Sequence, residues 1–288
     1  MTTDLAAGEG PVAIICGGGT FPFTVADALL RNGRPVVLFA LEGWADAERV
    51  KNYPHHWAHV VQLGRFLRLA RRDGCRDVIF IGTLVRPSIR QLINFDLATL
   101  RVLPRAIRHF YGGDDHLLSG MARMLESFGF RLLGAHEVAP EILVQEGALG
   151  QVSPSERDLG DIRHGLEVLR IMGPLDIGQG VVVANRHVIA VEAAEGTDQM
   201  LARVADLRRT RRFRAPPGTG VLVKAPKAGQ DRRFDLPSIG PRTIEGIAEA
   251  GLAGLAVIAG GSIVAEPQIV VQKADQAKVF VAGFDETA

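Results

Sequence analysis

The stretch Val12-Ala13-Ile14-Ile15-Cys16-Gly17-Gly18-Gly19-Thr20-Phe21-Pro22 decides the fold of the first half of the chain. Five successive apolar residues suit a strand buried on both faces, and three glycines close it. Phe23–Leu30 then repeats with helical spacing and stops at Gly33. Outward from there, Val36–Leu41 is a second apolar run and Val60–Leu63 a weaker candidate strand. Phe66–Arg72 reads as a basic amphipathic helix ended by Gly74, and Val78–Ile81 as a further strand. This strand–helix rhythm predicts an α/β fold with a parallel sheet covered by helices on both faces. Arg101–Phe110 and His116–Phe128 read as two successive helices.

The rhythm dissolves over 138–155, where Pro140, Gly147, Gly150, Ser153, Pro154 and Ser155 interrupt it. The expected division is a loose tail over 1–10, a first domain over 11–137, a connection over 138–152 and a second domain over 153–288. Ile142–Val144 is a possible short strand inside the connection. The second domain opens on a long amphipathic helix, Glu156–Met172. Gly180–Val183 and Val188–Ala193 form a hairpin about Asn185-Arg186. Helices are expected over Asp198–Arg208 and, after Pro241, over Arg242–Ala250. Strands are expected at Val221–Val223, Leu255–Ile258, Ser262–Ala265 and Val279–Ala282. The pattern leaves this domain α/β or α+β.

Composition narrows the function. The 288 residues are 47% hydrophobic and 23% charged, which sets the chain among folded globular proteins. Lys+Arg 33 against Asp+Glu 32 leaves a net charge of +1, without the basic excess of a nucleic-acid binder. Two cysteines, Cys16 and Cys75, make no disulfide framework and point to a reducing, cytoplasmic compartment. The longest uncharged stretch, Ala250–Ala265, carries four glycines and falls short of the ~20 residues of a membrane span. Met1–Gly10 has no apolar centre and does not read as a secretory signal.

Several clusters carry possible chemistry. Gly17-Gly18-Gly19-Thr20-Phe21 lies between a strand and a helix, where backbone approaches a ligand closely and a helix start favours anions. It suits a phosphate or a nucleotide; a plain tight turn is the alternative. Pro22 takes the place of the third glycine of a dinucleotide fingerprint, although Glu42 stands where a ribose-binding acid belongs. Arg86, in Gly82-Thr83-Leu84-Val85-Arg86-Pro87, is expected at the same sheet edge and offers a planar fork for phosphate. Asp114 in Gly112-Gly113-Asp114-Asp115-His116 is a helix cap or a ligand contact. The histidines lack zinc spacing.

The densest cluster is Lys224-Ala225-Pro226-Lys227 with Gln230-Asp231-Arg232-Arg233-Phe234-Asp235-Leu236-Pro237. Cations interspersed with carboxylates fit phosphoryl transfer, the acids holding a hard divalent cation and the bases neutralising phosphate oxygens. A salt-bridged surface loop is the alternative. Asp176-Ile177-Gly178-Gln179-Gly180 and Glu192 with Glu195-Gly196-Thr197-Asp198 add further carboxylates. Five arginines over 208–214 read as a solvated loop or an anionic-lipid contact.

With these blocks in view, the chain resembles the two-domain UDP-2,3-diacylglucosamine pyrophosphatases of lipid A biosynthesis in Gram-negative bacteria. The resemblance runs through Gly17–Pro22, Gly82–Pro87, Gly113–Leu118, Gly134-Ala135-His136-Glu137, Asp176–Gly180, Ala190–Asp198 and Lys224–Thr243. It implies a Rossmann-like first domain, a distinct second domain, a homodimer, and lipid enclosed between the domains. It further implies Mg2+-dependent hydrolysis of UDP-2,3-diacylglucosamine to UMP and 2,3-diacylglucosamine 1-phosphate, with peripheral contact to inner-membrane lipid. Carried onto this sequence, Asp235, Lys224, Lys227 and Glu195 are the expected catalytic set. Asp235, Asp198 and Asp231 are the expected metal ligands. Gly17, Gly18, Gly19, Thr20, Phe21, Arg86, Asp114, Gln179, Thr197 and Gln230 are expected to meet the substrate. Two other readings compete: an NAD-dependent oxidoreductase using the glycine turn and Glu42, and a non-catalytic nucleotide-sugar or lipid binder.

Overall fold

The buried run at the start of the chain forms the middle of a sheet. The structure is a computed structural model that describes residues 10–59, 62–82, 99, 114–227, 232–233 and 236–285, with the backbone alone at 114–119 and 121. It divides into two units, Met1–Pro140 and Glu141–Ala288.

In the first unit β1 (Val12–Cys16), β2 (Val36–Leu41), β3 (His55–Ala58), β4 (Asp77–Ile81) and β5 (Arg131–Leu132) lie in the order β3-β2-β1-β4-β5. Every pairing is parallel. Helices α1 (Phe21–Arg31), α2 (Ala47–Val50), α3 (Leu63–Arg72), α4 (Asp114–Ser127) and α5 (Ala135–Val138) connect or follow them. All six β2 residues are buried, as a two-sided parallel strand requires. Of the strand expected over Val60–Leu63, Val60 and Val61 lie outside the described residues and Leu63 opens α3; the described strand here is His55–Ala58. Phe39, Phe66 and Phe130 form a seam, with ring centroids 4.7 and 5.9 Å apart. The predicted helix over Arg101–Phe110 lies outside the described residues.

At the start of β4, Asp77 is 2% exposed. Arg131, its register partner on β5, meets it with two hydrogen bonds of 2.7 and 3.0 Å. Arg34 contacts the same carboxylate. Burial alone would raise the Asp77 pKa. The two guanidinium groups outweigh it and hold this carboxyl below its ordinary value.

The second unit is a mixed sheet in the order β6-β13-β11-β9-β7-β8. Its strands are β6 (Gly147–Ala148), β7 (Gly180–Ala184), β8 (His187–Val191), β9 (Val221–Lys224), β11 (Gly254–Ile258) and β13 (Phe280–Phe284). Strands β9, β11 and β13 run parallel; β7 and β8 form an antiparallel hairpin beside β9. A separate parallel pair joins β10 (Ser238–Ile239) and β12 (Ile263–Val264). The second unit is therefore α/β with a mixed sheet.

Alternation along these strands sorts the core into two layers. Val181, Val183, Val221, Val223 and Ala256 face α6 (Glu156–Met172) through Ile162 and Leu169. Val182, Leu222, Leu255, Val257 and Val281 face α7 (Gly196–Arg209), α8 (Pro241–Glu249) and α9 (Pro267–Ala277). Gly165 sets the depth of α6 on the sheet, since a Cβ there would stand 2.6 Å from Val223 Cγ2. The β7–β8 turn has positive φ at both Asn185 and Arg186, the form two-residue hairpins favour. Buried Asp161 of α6 accepts hydrogen bonds from both of their backbone N–H groups, at 3.0 and 2.6 Å.

Candidate active site

In the first unit the carboxyl edge of the sheet carries the glycine turn. Strand order reverses between β1 and β4, which is where parallel sheets open a crevice for ligands. The two strand ends converge there. Gly17 N–H donates to Ile81 O at 2.8 Å. Gly82 has a φ of +105°, and a Cβ on it would lie 2.7 Å from Gly18 O and 2.8 Å from Gly17 C. Only glycine fits that approach. Gly19, with φ +93°, turns the chain into α1. Thr20 is the helix cap residue but makes no capping bond with its side chain. Glu42, past the end of β2, lies 3.4 Å from His59, past the end of β3. Cys16 is fully buried beneath the turn, and its thiol is pushed up to about 12 by burial and by the nearby Asp46 carboxylate. Phe21 is half-buried. Asp114 opens α4, and Arg86 lies outside the described residues.

In the second unit the chemistry gathers at one edge of the mixed sheet. Lys224 ends β9 and pairs in register with Gly180 at the start of β7. Glu192 follows β8, and its N–H donates to Gly180 O at 2.9 Å. The lysine and the glutamate thus flank a residue that has no side chain. Lys224 is 5% exposed, and its ammonium donates to Thr197 Oγ1 at 2.6 Å. Thr197, in the first turn of α7, donates to Glu192 Oε1 at 2.8 Å. Glu192 Oε2 is buried, has no hydrogen-bond partner among the described residues, and lies 3.8 Å from Lys224 Nζ.

The other expected site residues stand around this edge. Gln179 accepts from Ala225 N–H at 3.1 Å, which ties the Asp176–Gly180 segment to the chain after Lys224. Lys227 pairs with Asp176, whose own backbone is left-handed at φ 57°. Glu195 is held 2.7 Å from Arg203, and Asp198 is an exposed acid in the first turn of α7. Gln230, Asp231 and Asp235 lie outside the described residues. Sequence spacing pointed to Lys224 and Thr197 separately but not to Glu192 as the group linking them. The signal for it was the pair Gly178 and Gly180: a Cβ on either would meet Glu192, at 2.0 Å from its carbonyl oxygen and 2.5 Å from Oε2.

Among the described residues no three His, Cys, Asp or Glu side chains gather as a metal site. The expected donors Asp198, Asp231 and Asp235 offer carboxylate oxygen only, the chemistry that suits a hard cation such as Mg2+. Of the arginines over 208–214, Arg208 serves the fold. Its guanidinium donates to Ala250 O at 2.8 Å and to Gly251 O at 3.1 Å, and it lies over the Phe213 ring. Among the described residues no helix is long and apolar enough to cross a membrane.

The chain was compared with known proteins. The LpxI N-terminal domain family matches residues 11–142, and the LpxI C-terminal domain family matches residues 145–282. The UDP-2,3-diacylglucosamine pyrophosphatase LpxI of Caulobacter vibrioides is 42% identical over 274 residues, covering 95% of this chain and 97% of that protein. Among solved structures, a UDP-glucose-4-epimerase from Stenotrophomonas maltophila with bound NAD is 12% identical, covers 96% of this chain and 95% of its own, and reaches a TM-score of 0.30. The biotin carboxylase domain of Hydrogenobacter thermophilus 2-oxoglutarate carboxylase, 14% identical over 75% of this chain and 44% of its own, reaches 0.27. Two family matches in sequence order and the near full-length identity establish that this chain belongs to the LpxI family, the family of the Caulobacter UDP-2,3-diacylglucosamine pyrophosphatase.

Proposed function

We propose that this protein hydrolyses the diphosphate bond of UDP-2,3-diacylglucosamine, giving UMP and 2,3-diacylglucosamine 1-phosphate. The observation that carries the reading is the 42% identity over nearly the whole of both chains. The acid–base edge of the second unit is consistent with it. Water adds to one phosphorus, the bridging P–O bond breaks, and the proton lost by water is taken up as two phosphate monoesters form. Negative charge grows on the phosphate oxygens along this path, so fixed cations aimed at them lower the barrier. Lys224 and Lys227 supply that charge. Asp235 orients the attacking water, and Glu195 assists. Gly17–Phe21 and Arg86 hold the nucleotide end, and Asp114, Gln179, Thr197 and Gln230 line the substrate.

Asp235, Asp198 and Asp231 hold a divalent cation, Mg2+, which when bound offsets diphosphate charge. The first unit is Rossmann-like in this reading, on the strength of its parallel strand order and its glycine turn at the switch point. The protein acts in the cytoplasm as a homodimer, at the cytoplasmic face of the inner membrane, where its lipid substrate is available. Acyl chains contribute about 0.8 kcal/mol of affinity per buried CH2. The oxidoreductase reading has Glu42 and the glycine turn in its favour but leaves the lysine–carboxylate edge without a task.

Purified protein incubated with UDP-2,3-diacylglucosamine and Mg2+ is expected to release UMP, and chelator is expected to stop it. Asp235→Ala should abolish release while lipid retention and the circular dichroism spectrum persist. Release unaffected by chelator would remove the cation from the account. Full activity of Asp235→Ala would move the catalytic centre elsewhere.

A further inference from the structure

We infer that Glu192 is a positioning residue: through Thr197 it orients and charge-balances the Lys224 ammonium for the reacting diphosphate. The inference rests on the reading of Lys224 given above. It begins with the direction of two hydrogen bonds. An ammonium only donates, so Thr197 Oγ1 must accept from Lys224. The hydroxyl has one proton, and it points to Glu192 Oε1. An ionised carboxylate only accepts, so the chain from ammonium to hydroxyl to carboxylate has one polarity and no alternative. With its proton committed, the Thr197 oxygen turns a lone pair toward Lys224 and fixes one of the three ammonium protons.

Charge gives the second reason. Lys224 is 5% exposed, and a buried ammonium is costly unless an opposite charge lies near. Glu192 Oε2, buried and without a hydrogen-bond partner among the described residues, lies 3.8 Å away. It is too far for a hydrogen bond and near enough to balance the charge. The fold makes space for this pair. Gly180 lies between the two residues in the sheet, and a Cβ there would press within 2.5 Å of Glu192 Oε2. Gly178, at φ +44°, would bring a Cβ within 2.0 Å of Glu192 O. Gly178 thus makes room for the backbone at position 192, and Gly180 for the Glu192 carboxylate. Neighbouring Glu195 is engaged by Arg203 at 2.7 Å and does not serve this role.

The test separates positioning from folding. Glu192→Gln keeps an acceptor for Thr197 but removes the charge, and is expected to lower kcat about tenfold while KM changes little. Thr197→Val should likewise lower kcat, from the middle of the chain of bonds. Lys224→Ala, inactive alone, should be rescued by added ethylamine, which occupies the vacated ammonium position. The double variant Lys224→Ala/Glu192→Gln should not be rescued. Equal rescue of the single and double variants would overturn the inference, as would unchanged kcat in Glu192→Gln where Lys224→Ala is inactive. A readout independent of turnover distinguishes this inference from the reading of Lys224 itself. In 15N-lysine-labelled protein the Lys224 ammonium should give an exchange-protected signal that disappears in both Glu192→Gln and Thr197→Val. Persistence of that signal would refute the positioning role. Its loss alongside a fully active Lys224→Ala would uphold positioning and refute the catalytic reading of the lysine.

Discussion

Asp77 shows how one side chain sets a pH limit on stability. Its carboxyl lies below the ordinary value of 3.8 because Arg131 and Arg34 overcome the cost of burial. A depressed folded pKa contributes stability above the unfolded pKa and loses it as pH falls through the folded one. Asp77→Asn should cost about 3 kcal/mol at neutral pH, since it removes a buried carboxylate charge that two guanidinium groups meet. Urea unfolding measured from pH 7 down to pH 3 should show the wild type losing its advantage over the variant as acidity rises. The cysteines offer a second residue-level check. Burial pushes Cys16 to about 12, with Asp46 adding to it, and Cys75 to about 11, with Asp73 adding to it. Thiolate is the reactive form, so neither should be alkylated by iodoacetamide at pH 8 in the native protein. Both should be labelled in urea. Fast native labelling of Cys16 would mean that the strand beneath the glycine turn opens readily.

Among the elements, legibility followed burial. Strands β1 and β2 are buried on both faces and announced themselves as unbroken apolar runs. Strand β3 did not. It is an edge strand, its first three residues only half-buried, and His55-His56-Trp57-Ala58 carries no apolar pattern. Helix α9 was also missed, because it buries only Val270 and Ala274 and so shows little stripe. Helix α6 was legible to the residue: Ser155 caps it through Asp158, and five buried positions recur on one face. At the site, Lys224 and Thr197 could be named from local sequence. Their meeting with Glu192 could not, because it depends on β7 lying antiparallel between β8 and β9. The meeting of β1 with β4 gives a prediction at this scale. Gly82→Ala forces a Cβ into a left-handed backbone and against Gly17 and Gly18. It should cost roughly 2 kcal/mol or more, read as a lower urea midpoint. A midpoint equal to wild type would show that the two loops do not meet as described.

For the whole molecule, each unit brings a different contribution. The first offers a glycine turn at the point where a parallel sheet reverses its order, suited to a nucleotide phosphate. The second offers a buried lysine held against a carboxylate at the edge of a mixed sheet. The parallel sheet of the first unit was readable from the sequence, because strand–helix rhythm is a local signal. The antiparallel β7–β8 addition to β9 was not, since strand order is set by contacts distant in the chain.

The most direct measurement is 31P NMR of the purified protein turning over UDP-2,3-diacylglucosamine. The account predicts that the two mutually coupled diphosphate resonances give way to two uncoupled monoester signals in equal amounts, from UMP and the lipid sugar 1-phosphate. A coupled pair that persists as free UDP, or a spectrum that does not change at all, would contradict it.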